Sequence, residues 1–96
     1  MAAVTTFDVV ELARSLIDIE STTGSEGPVV GWLADWLRAR GYTVETQPVE
    51  GERCNLYVTL GAPIVVLSTH LDCVPPFFPS REEDGLLYGR GACDAK

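Results

Sequence analysis

The sequence predicts an α/β fold, and three observations lead to that class. Apolar residues repeat with the helical period of about 3.6 in two segments near the amino terminus. The period then changes to 2, which is typical of strands. The later segment Ile64–Leu67 is continuously apolar, as expected of a strand that is covered on both faces. Two helices followed by strands with a buried centre predict a layered α/β structure.

The first predicted helix extends from about Thr6 to Ile19. Its apolar positions, at i, i+3, i+4, i+7 and i+8, form one face: Val9, Leu12, Ala13, Leu16 and Ile17. Thr5 or Thr6 is the predicted N-cap, and the charge of Asp8 suits the positive end of the helix dipole. Residues 21–27 are then predicted to form a loop.

The second predicted helix begins at Pro28, because proline is favoured at the first helical position. Five apolar residues form its stripe: Val29, Trp32, Leu33, Trp36 and Leu37. Gly41 is placed just after the helix, where glycine is favoured. Two tryptophans could form a ligand platform, but their i, i+4 spacing on one helix favours core packing.

Three strands are predicted after the second helix, over Tyr42–Val49, Asn55–Leu60 and Ile64–Thr69. The gap at residues 61–63 has hairpin length, so at least one strand pair is expected to be antiparallel. From Pro75 the chain becomes rich in proline and then acidic, which indicates an ordered surface loop. A turn at Asp84-Gly85 and a short strand over residues 86–88 follow that loop.

Composition and charge exclude several classes of function. Hydrophobic residues are 46% and charged residues 22% of the chain, as in ordinary globular domains. A formal net charge of −7 with a single lysine argues against nucleic-acid or anionic-membrane binding, which needs a basic stripe. No apolar run reaches the roughly 18 residues of a membrane-spanning helix, and no secretory signal is visible. Three cysteines without CxxC spacing argue against a disulfide framework, and we expect a cytoplasmic protein.

The first residues that could act in catalysis or metal binding lie where the last buried strand is predicted to end. In layered α/β folds, functional groups gather beyond the carboxyl ends of strands. His70 is the only histidine, and its ring can offer one nitrogen to a metal while the other donates to an acceptor. Asp72 could be that acceptor, since residues i and i+2 point to the same side of an extended chain. Taken alone the pattern is weak, because a lone histidine near a strand end is more often structural.

A second cluster lies in the glycine-rich segment that ends at Lys96. Gly89 and Gly91 permit torsions or close approaches that a Cβ would block, and they precede the carboxylate of Asp94. One carboxylate can be shared by two cations about 3.5–4 Å apart. A phosphate-binding loop is not indicated, because Lys96 lacks the spacing of the Walker motif. One histidine with two carboxylates amounts to half of a two-metal site.

Two segments resemble the paired signatures of the M20 metallopeptidases. They are residues 68–75, Ser-Thr-His-Leu-Asp-Cys-Val-Pro, and residues 84–96, Asp-Gly-Leu-Leu-Tyr-Gly-Arg-Gly-Ala-Cys-Asp-Ala-Lys. That family includes acetylornithine deacetylase, succinyl-diaminopimelate desuccinylase, aminoacylase and carboxypeptidase G relatives. Residues 21–26 and 53–56 fit it as well, so the resemblance covers nearly the whole chain.

The resemblance implies a role for each candidate residue. His70 would ligate one zinc ion, Asp94 would bridge two, and Asp72 would be the catalytic aspartate that orients His70. The implied cofactor is a pair of Zn²⁺ ions, with Co²⁺ or Mn²⁺ as substitutes. The implied reaction is hydrolysis of the amide bond of an N-acyl amino acid or small peptide by a metal-bridged hydroxide. The peptide bond after the bridging aspartate is often cis in this family; here it would be Asp94–Ala95, and the cis form would persist only if the metal site held it.

The resemblance also implies that residues 1–96 are the amino-terminal part of a three-layer αβα catalytic domain with a mixed sheet. The general-base glutamate, the other metal ligands and the lid or dimerisation domain of the family would lie after Lys96. We therefore expect the chain alone to be inactive, and any homodimer to form through the domain outside it. The expected partner is a small substrate rather than nucleic acid or membrane.

Other interpretations remain open. The connection from Asp72 to Asp94 spans 22 positions (94 − 72), shorter than in many relatives, which leaves the substrate class open. A mononuclear zinc site of His70, Cys73 and Cys93 is conceivable, although packing explains these cysteines better. The chain could also come from a non-catalytic homologue, or be a structural or binding module.

Overall fold

The computed structural model describes residues 6–51, 53–62 and 64–96, and its elements confirm the α/β class. In chain order they are α1 (Val9–Ile17), α2 (Gly27–Ala39), β1 (Thr43–Glu50), β2 (Arg53–Thr59), β3 (Arg81–Glu83) and β4 (Leu86–Tyr88). The strands form two antiparallel pairs, β1 with β2 and β3 with β4. No helix within the described ranges is long and apolar enough to cross a membrane.

Helix α1 begins later than predicted, and its cap is Asp8 instead of Thr6. The Asp8 carboxylate accepts hydrogen bonds from the amides of Val10, at 2.9 Å, and Glu11, at 3.3 Å. These amides belong to the first turn, where N–H groups have no hydrogen-bond acceptor within the helix. A charged acceptor also interacts favourably with the helix dipole, which a threonine hydroxyl cannot do. Thr5, the other predicted cap, lies outside the described residues.

Helix α2 has the predicted ends. It starts at Gly27 with Pro28 in its first turn, and it finishes at Ala39. Gly41 follows with a φ of 85°, the left-handed conformation in which glycine avoids the penalty of a Cβ. The chain can therefore reverse directly into β1.

The core lies between the two helices and β2. Its buried members are Leu16, Val29 and Val30, and the partly buried side chains packed around them are Leu12, Ile19, Trp32, Leu33, Cys54, Leu56 and Leu71. The ring of Trp36 meets that of Phe7 edge to face, with centroids 5.1 Å apart. Both tryptophans are packed against other side chains, as their helical spacing predicts.

The predicted strand over residues 64–69 is not formed. This segment has no strand partner among the described residues, and the side chains of Ile64 and Leu67 are 97% and 93% exposed. A continuously apolar strand requires neighbouring strands and a covering layer on each face. The described residues supply neither. The hairpin expected across residues 61–63 is absent for the same reason, and Pro63 lies outside the described residues.

The turn at Asp84-Gly85 is confirmed, and the acidic segment before it is a strand that we did not predict. Asp84 and Gly85 have φ values of 53° and 75°, which suits the two-residue turn of a tight hairpin. This turn joins β3 to the predicted strand β4, with Arg81 paired to Tyr88. The hairpin leads directly into the glycine-rich segment that carries Asp94.

Candidate metal centre

The side chains of His70 and Asp94 meet although 24 positions separate them in the sequence. His70 Nε2 lies 3.1 Å from Asp94 Oδ1. On the other side of the ring, His70 Nδ1 lies 3.1 Å from Asp72 Oδ1 and 3.0 Å from the main-chain oxygen of Asp72. The three candidate residues therefore form one continuous chain, with the imidazole between two carboxylates.

The surroundings of His70 favour its charged form. The main-chain carbonyl of Asp72 and then the carboxylate of Asp94 accept hydrogen bonds from the ring, and together they raise the pKa of His70 above 6.5. The Thr23 hydroxyl, followed by the charge of His70, lowers the pKa of Asp72 below 3.8, although partial burial opposes the shift. Asp72 is therefore ionised at neutral pH, and its carboxylate can accept a hydrogen bond from His70 Nδ1.

Residues 21–23, predicted to be a loop, hold the segment that carries the histidine. The Cys73 amide donates to the Ser21 carbonyl at 2.9 Å, and the Thr23 amide donates to the Cys73 carbonyl at 3.2 Å. Thr22 and Cys73 thereby form an isolated parallel β-bridge. Sequence reasoning missed this bridge, because a run of serine, threonine and glycine is typical of turns.

Two hydroxyl groups of the same loop add side-chain contacts to this backbone bridge. The Ser21 side chain is fully buried, and its hydroxyl donates to the Leu71 carbonyl at 2.7 Å. The Thr23 hydroxyl donates to Asp72 Oδ2 at 2.7 Å. The segment is thus fixed at its backbone and at the carboxylate beside the histidine.

A close approach at Gly89 brings Asp94 to the site. A Cβ at position 89 would collide with Cγ2 of Ile17, which is itself buried in the core. Only glycine allows the chain after β4 to pass this close to α1. The sequence predicted the requirement for glycine here, but the surface it approaches is visible only in the structure.

Lys96 closes the turn that contains Asp94. Its amide donates to the Gly91 carbonyl at 2.9 Å, and its Nζ donates to the Ile19 carbonyl at 2.8 Å. Burial lowers the pKa of Lys96 below 10.5. The aliphatic part of Lys96 lies against Gly91, where a Cβ would come within 3.0 Å of it. This turn is therefore tied to the residues that directly follow α1.

A cavity of about 540 Å³ opens beside His70 and Asp94. The proline-rich loop forms part of its wall, held there by Arg90. The Arg90 Nε donates to the Pro76 carbonyl at 3.0 Å, and its guanidinium lies 4.8 Å from the centre of the Phe78 ring. The candidate residues thus face a space large enough for a small substrate.

The donors present fit a metal ion as two members of a ligand set. Zinc accepts imidazole nitrogen and carboxylate oxygen, which are the atoms that His70 and Asp94 direct toward each other. No group of three or more metal-ligating side chains forms within residues 6–51, 53–62 and 64–96. The alternative site of His70, Cys73 and Cys93 is therefore not formed among these residues. Cys73 is buried instead, with Sγ 3.8 Å from Ser21 Oγ.

The expected cis bond after Asp94 is absent. The cis peptide bond in the described ranges joins Pro75 to Pro76, and the Asp94–Ala95 bond is trans. Before a residue other than proline the cis form costs about 2.5–4 kcal/mol, so trans is the default conformation.

Known proteins with similar sequences identify the family. A probable carboxypeptidase of Aspergillus clavatus is 42% identical over 86% of this chain and 22% of its own length. A peptidase M20 domain-containing protein of Schizosaccharomyces pombe is 41% identical over 93% of this chain and 24% of its own length. The chain belongs to the M20 peptidase family. The motifs around His70 and Asp94 predicted this family correctly.

A third relative of the M20 chain is a succinyl-diaminopimelate desuccinylase of Methylorubrum extorquens, 38% identical over 88% of this chain and 26% of its own length. The M20 chain thus spans about a quarter of the length of the curated relatives it matches. No family model matches it. The names of the relatives make this a family of hydrolases.

Proposed function

We propose that the protein to which this M20 chain belongs, called the full-length protein below, is a zinc-dependent hydrolase. Its substrates would be the amide bonds of N-acyl amino acids or small peptides. The observation that carries the proposal is the 3.1 Å approach of His70 Nε2 to Asp94 Oδ1, with Asp72 on the other ring nitrogen. The substrate class is supported by relatives named carboxypeptidase and desuccinylase, since both names describe cleavage of an acyl group from nitrogen.

Each of the three side chains has a role in this proposal. His70 would hold one zinc ion through Nε2, and Asp94 would be the carboxylate shared by the two ions. Asp72 accepts a hydrogen bond from the protonated Nδ1, which fixes the tautomer that leaves Nε2 free to bind. When bound, zinc or a substitute such as Co²⁺ or Mn²⁺ would polarise the scissile carbonyl and activate water.

The remaining ligands and the general base are proposed to lie outside the 96 residues. Support comes from the length of the relatives, since the chain spans about a quarter of it. We therefore expect the 96-residue chain alone to hydrolyse no amide when zinc is added. Turnover by this chain that a chelator removes, and that Asp94→Ala abolishes, would contradict the expectation.

The proposal is tested on the purified full-length protein with N-acetyl and N-succinyl amino acids and dipeptides as substrates. We expect hydrolysis that a chelator abolishes and zinc restores. His70→Gln and Asp94→Asn should each lower kcat/KM by about 100-fold or more, since changes to outer partners already cost 10–100-fold. The control is Asp35→Asn, which removes an exposed carboxylate on α2 and should leave the rate unchanged. Hydrolysis that survives both chelation and Asp94→Asn would refute the proposal.

A non-catalytic role is the second candidate, favoured by the incomplete ligand set of the described residues. In that case the full-length protein would bind little zinc and hydrolyse none of the substrates above. Zinc measured per protein molecule after dialysis separates the two candidates, because the hydrolase should retain it.

A further inference from the structure

Thr23 contacts the candidate site although it lies in neither of the two motifs. Its hydroxyl donates to Asp72 Oδ2 at 2.7 Å, while Oδ1 of the same carboxylate lies 3.1 Å from His70 Nδ1. The two carboxylate oxygens thus face different side chains, and rotation of the carboxylate would disturb both contacts. Thr23 therefore contacts the same carboxylate that faces the imidazole.

The proton on His70 Nδ1 has two acceptors within reach. The main-chain carbonyl of Asp72 lies 3.0 Å away and Oδ1 of its carboxylate 3.1 Å away. The carbonyl belongs to the backbone, which the bridge to residues 21–23 holds in place. The carboxylate, in contrast, can turn away when its second oxygen loses its partner. Of the two acceptors, only the charged one depends on Thr23.

We propose that Thr23 is a positioning residue, whose hydroxyl keeps the Asp72 carboxylate directed at His70 and so strengthens the histidine as a metal ligand. This inference rests on the proposed metal-binding role of His70. A carboxylate acceptor makes the imidazole a better donor to the metal than a neutral carbonyl does, because it stabilises the positive charge that builds up on the ring.

The turn that carries Thr23 is itself held in place. The Thr23 amide donates to the Cys73 carbonyl. The backbone and the side chain of Thr23 thus bind two neighbouring residues, Cys73 and Asp72. One residue further on, the Gly24 amide donates to Glu26 Oε2 at 2.6 Å. Arg53 Nε donates to Oε1 of this buried glutamate at 2.5 Å, which ties the turn to β2. The hydroxyl is therefore supported by packed elements, as a positioning group requires.

The test compares Thr23→Val with Thr23→Ser in the zinc-loaded full-length protein. Valine keeps the shape of threonine and removes the hydroxyl, whereas serine keeps the hydroxyl. We expect Thr23→Val to weaken zinc affinity and to lower kcat by about 3–10-fold, less than the 10–100-fold typical of a direct partner of a metal ligand. KM should change less than kcat. Thr23→Ser keeps the hydroxyl, so its zinc affinity and kcat should both stay within about twofold of those of the parent.

Zinc affinity is measured by competition with a chromophoric chelator, so this readout does not depend on turnover. The matched control is Thr46→Val, the same replacement at an exposed position of β1. If Thr23→Val fails to fold by circular dichroism, Thr23→Ala removes the hydroxyl without placing a new methyl group against the carboxylate. Parent-like zinc affinity in the folded valine or alanine variant would overturn the inference. So would a serine variant as impaired as the valine variant.

Failure of the proposed function gives a different pattern. A full-length protein that binds zinc through His70 but hydrolyses no amide would refute the proposed activity, while the zinc affinities would still decide the role of Thr23. Zinc binding that His70→Gln leaves unchanged, or no zinc binding at all, would overturn both proposals.

Discussion

His70 must lose the proton on Nε2 before it can bind a metal, and its neighbours oppose that loss. The Asp72 carbonyl and the Asp94 carboxylate accept hydrogen bonds from the ring and raise the pKa of His70 above 6.5. In the metal-free protein the charged ring is therefore stabilised between two acceptors. A metal ion would take the place of one proton in this arrangement.

We expect the zinc affinity of the full-length protein to fall as the pH drops through the pKa of His70. Because this pKa is raised, protons compete effectively at a pH above 6.5, and the loss of affinity should begin earlier than for an unperturbed histidine. Zinc competition titrations between about pH 8 and 6 provide the measurement. An affinity that stays constant across this range would contradict the role given to His70, and Asp35→Asn should follow the parent profile.

For individual residues, the sequence predicted the contacts between neighbours in the chain and missed the contacts between distant segments. The spacing of His70 and Asp72 is enough to place the carboxylate beside the ring, because i and i+2 share a side of an extended chain. Thr23 lies 49 positions from Asp72, so their hydrogen bond depends on how two distant segments pack. The glycine-rich segment made Asp94 a candidate, but the family resemblance was needed to pair it with His70, because spacing alone does not bring the two together.

Among the secondary-structure elements, the position of the β4 turn depends on one glycine. The chain at Gly89 passes so close to Ile17 of α1 that a Cβ would overlap it. Gly31, within α2, has no atom within 4 Å of the position that a Cβ would take. Replacing each glycine with alanine therefore distinguishes two effects on stability. At position 89 the added Cβ meets another side chain, whereas at position 31 it changes only the freedom of the backbone.

We expect Gly89→Ala to destabilise the full-length protein by about 1–3 kcal/mol, the usual cost of forcing extra atoms into a packed contact. Zinc affinity should fall with it, because the turn carries Asp94. Gly31→Ala should instead stabilise by roughly 0.5–1 kcal/mol, since alanine is the better residue within a helix. Urea unfolding of both variants checks the prediction. Equal effects of the same sign would contradict the close approach at Gly89.

Both helices form where they were predicted, although α1 is shorter than expected. Whether a predicted strand forms depends on the elements that surround it. For α2, the apolar period of 3.6 and the proline and glycine at the two ends of the helix were sufficient to predict its position. The cap of α1 was misplaced because Asp8 competes with two threonines for the same role. The apolar run at residues 64–67 carries the correct signal for a buried strand, but a strand forms only when neighbours are present to pair with it.

The whole molecule exposes this apolar run to solvent. Its four side chains range from 73% to 97% exposed: Ile64, Val65, Val66 and Leu67. An exposed apolar patch of this kind is typical of a surface that another part of the protein covers. The chain spans about a quarter of its relatives' length, so we expect further parts of the full-length protein to provide that cover.

Replacing Val65 and Leu67 together with serine should have opposite consequences in the two contexts. In the 96-residue chain it should lower the binding of the fluorescent dye ANS, because exposed apolar surface is removed. In the full-length protein it should destabilise by about 2–5 kcal/mol or more, the cost of truncating buried apolar side chains. Denaturant unfolding measures the second effect. A Val9→Ser control, at the exposed start of α1, should change stability by no more than about 0.5 kcal/mol. No loss of stability in the full-length double variant would show that this segment stays exposed.

In the proposed zinc site, His70 and Asp94 bind the same metal ion. The most direct measurement is a crystal structure of the zinc-loaded full-length protein with diffraction recorded at the zinc absorption edge. We expect an anomalous peak about 2.0–2.2 Å from His70 Nε2 and from a carboxylate oxygen of Asp94. A protein in which zinc binds elsewhere, with His70 still hydrogen-bonded to Asp94, would contradict this expectation.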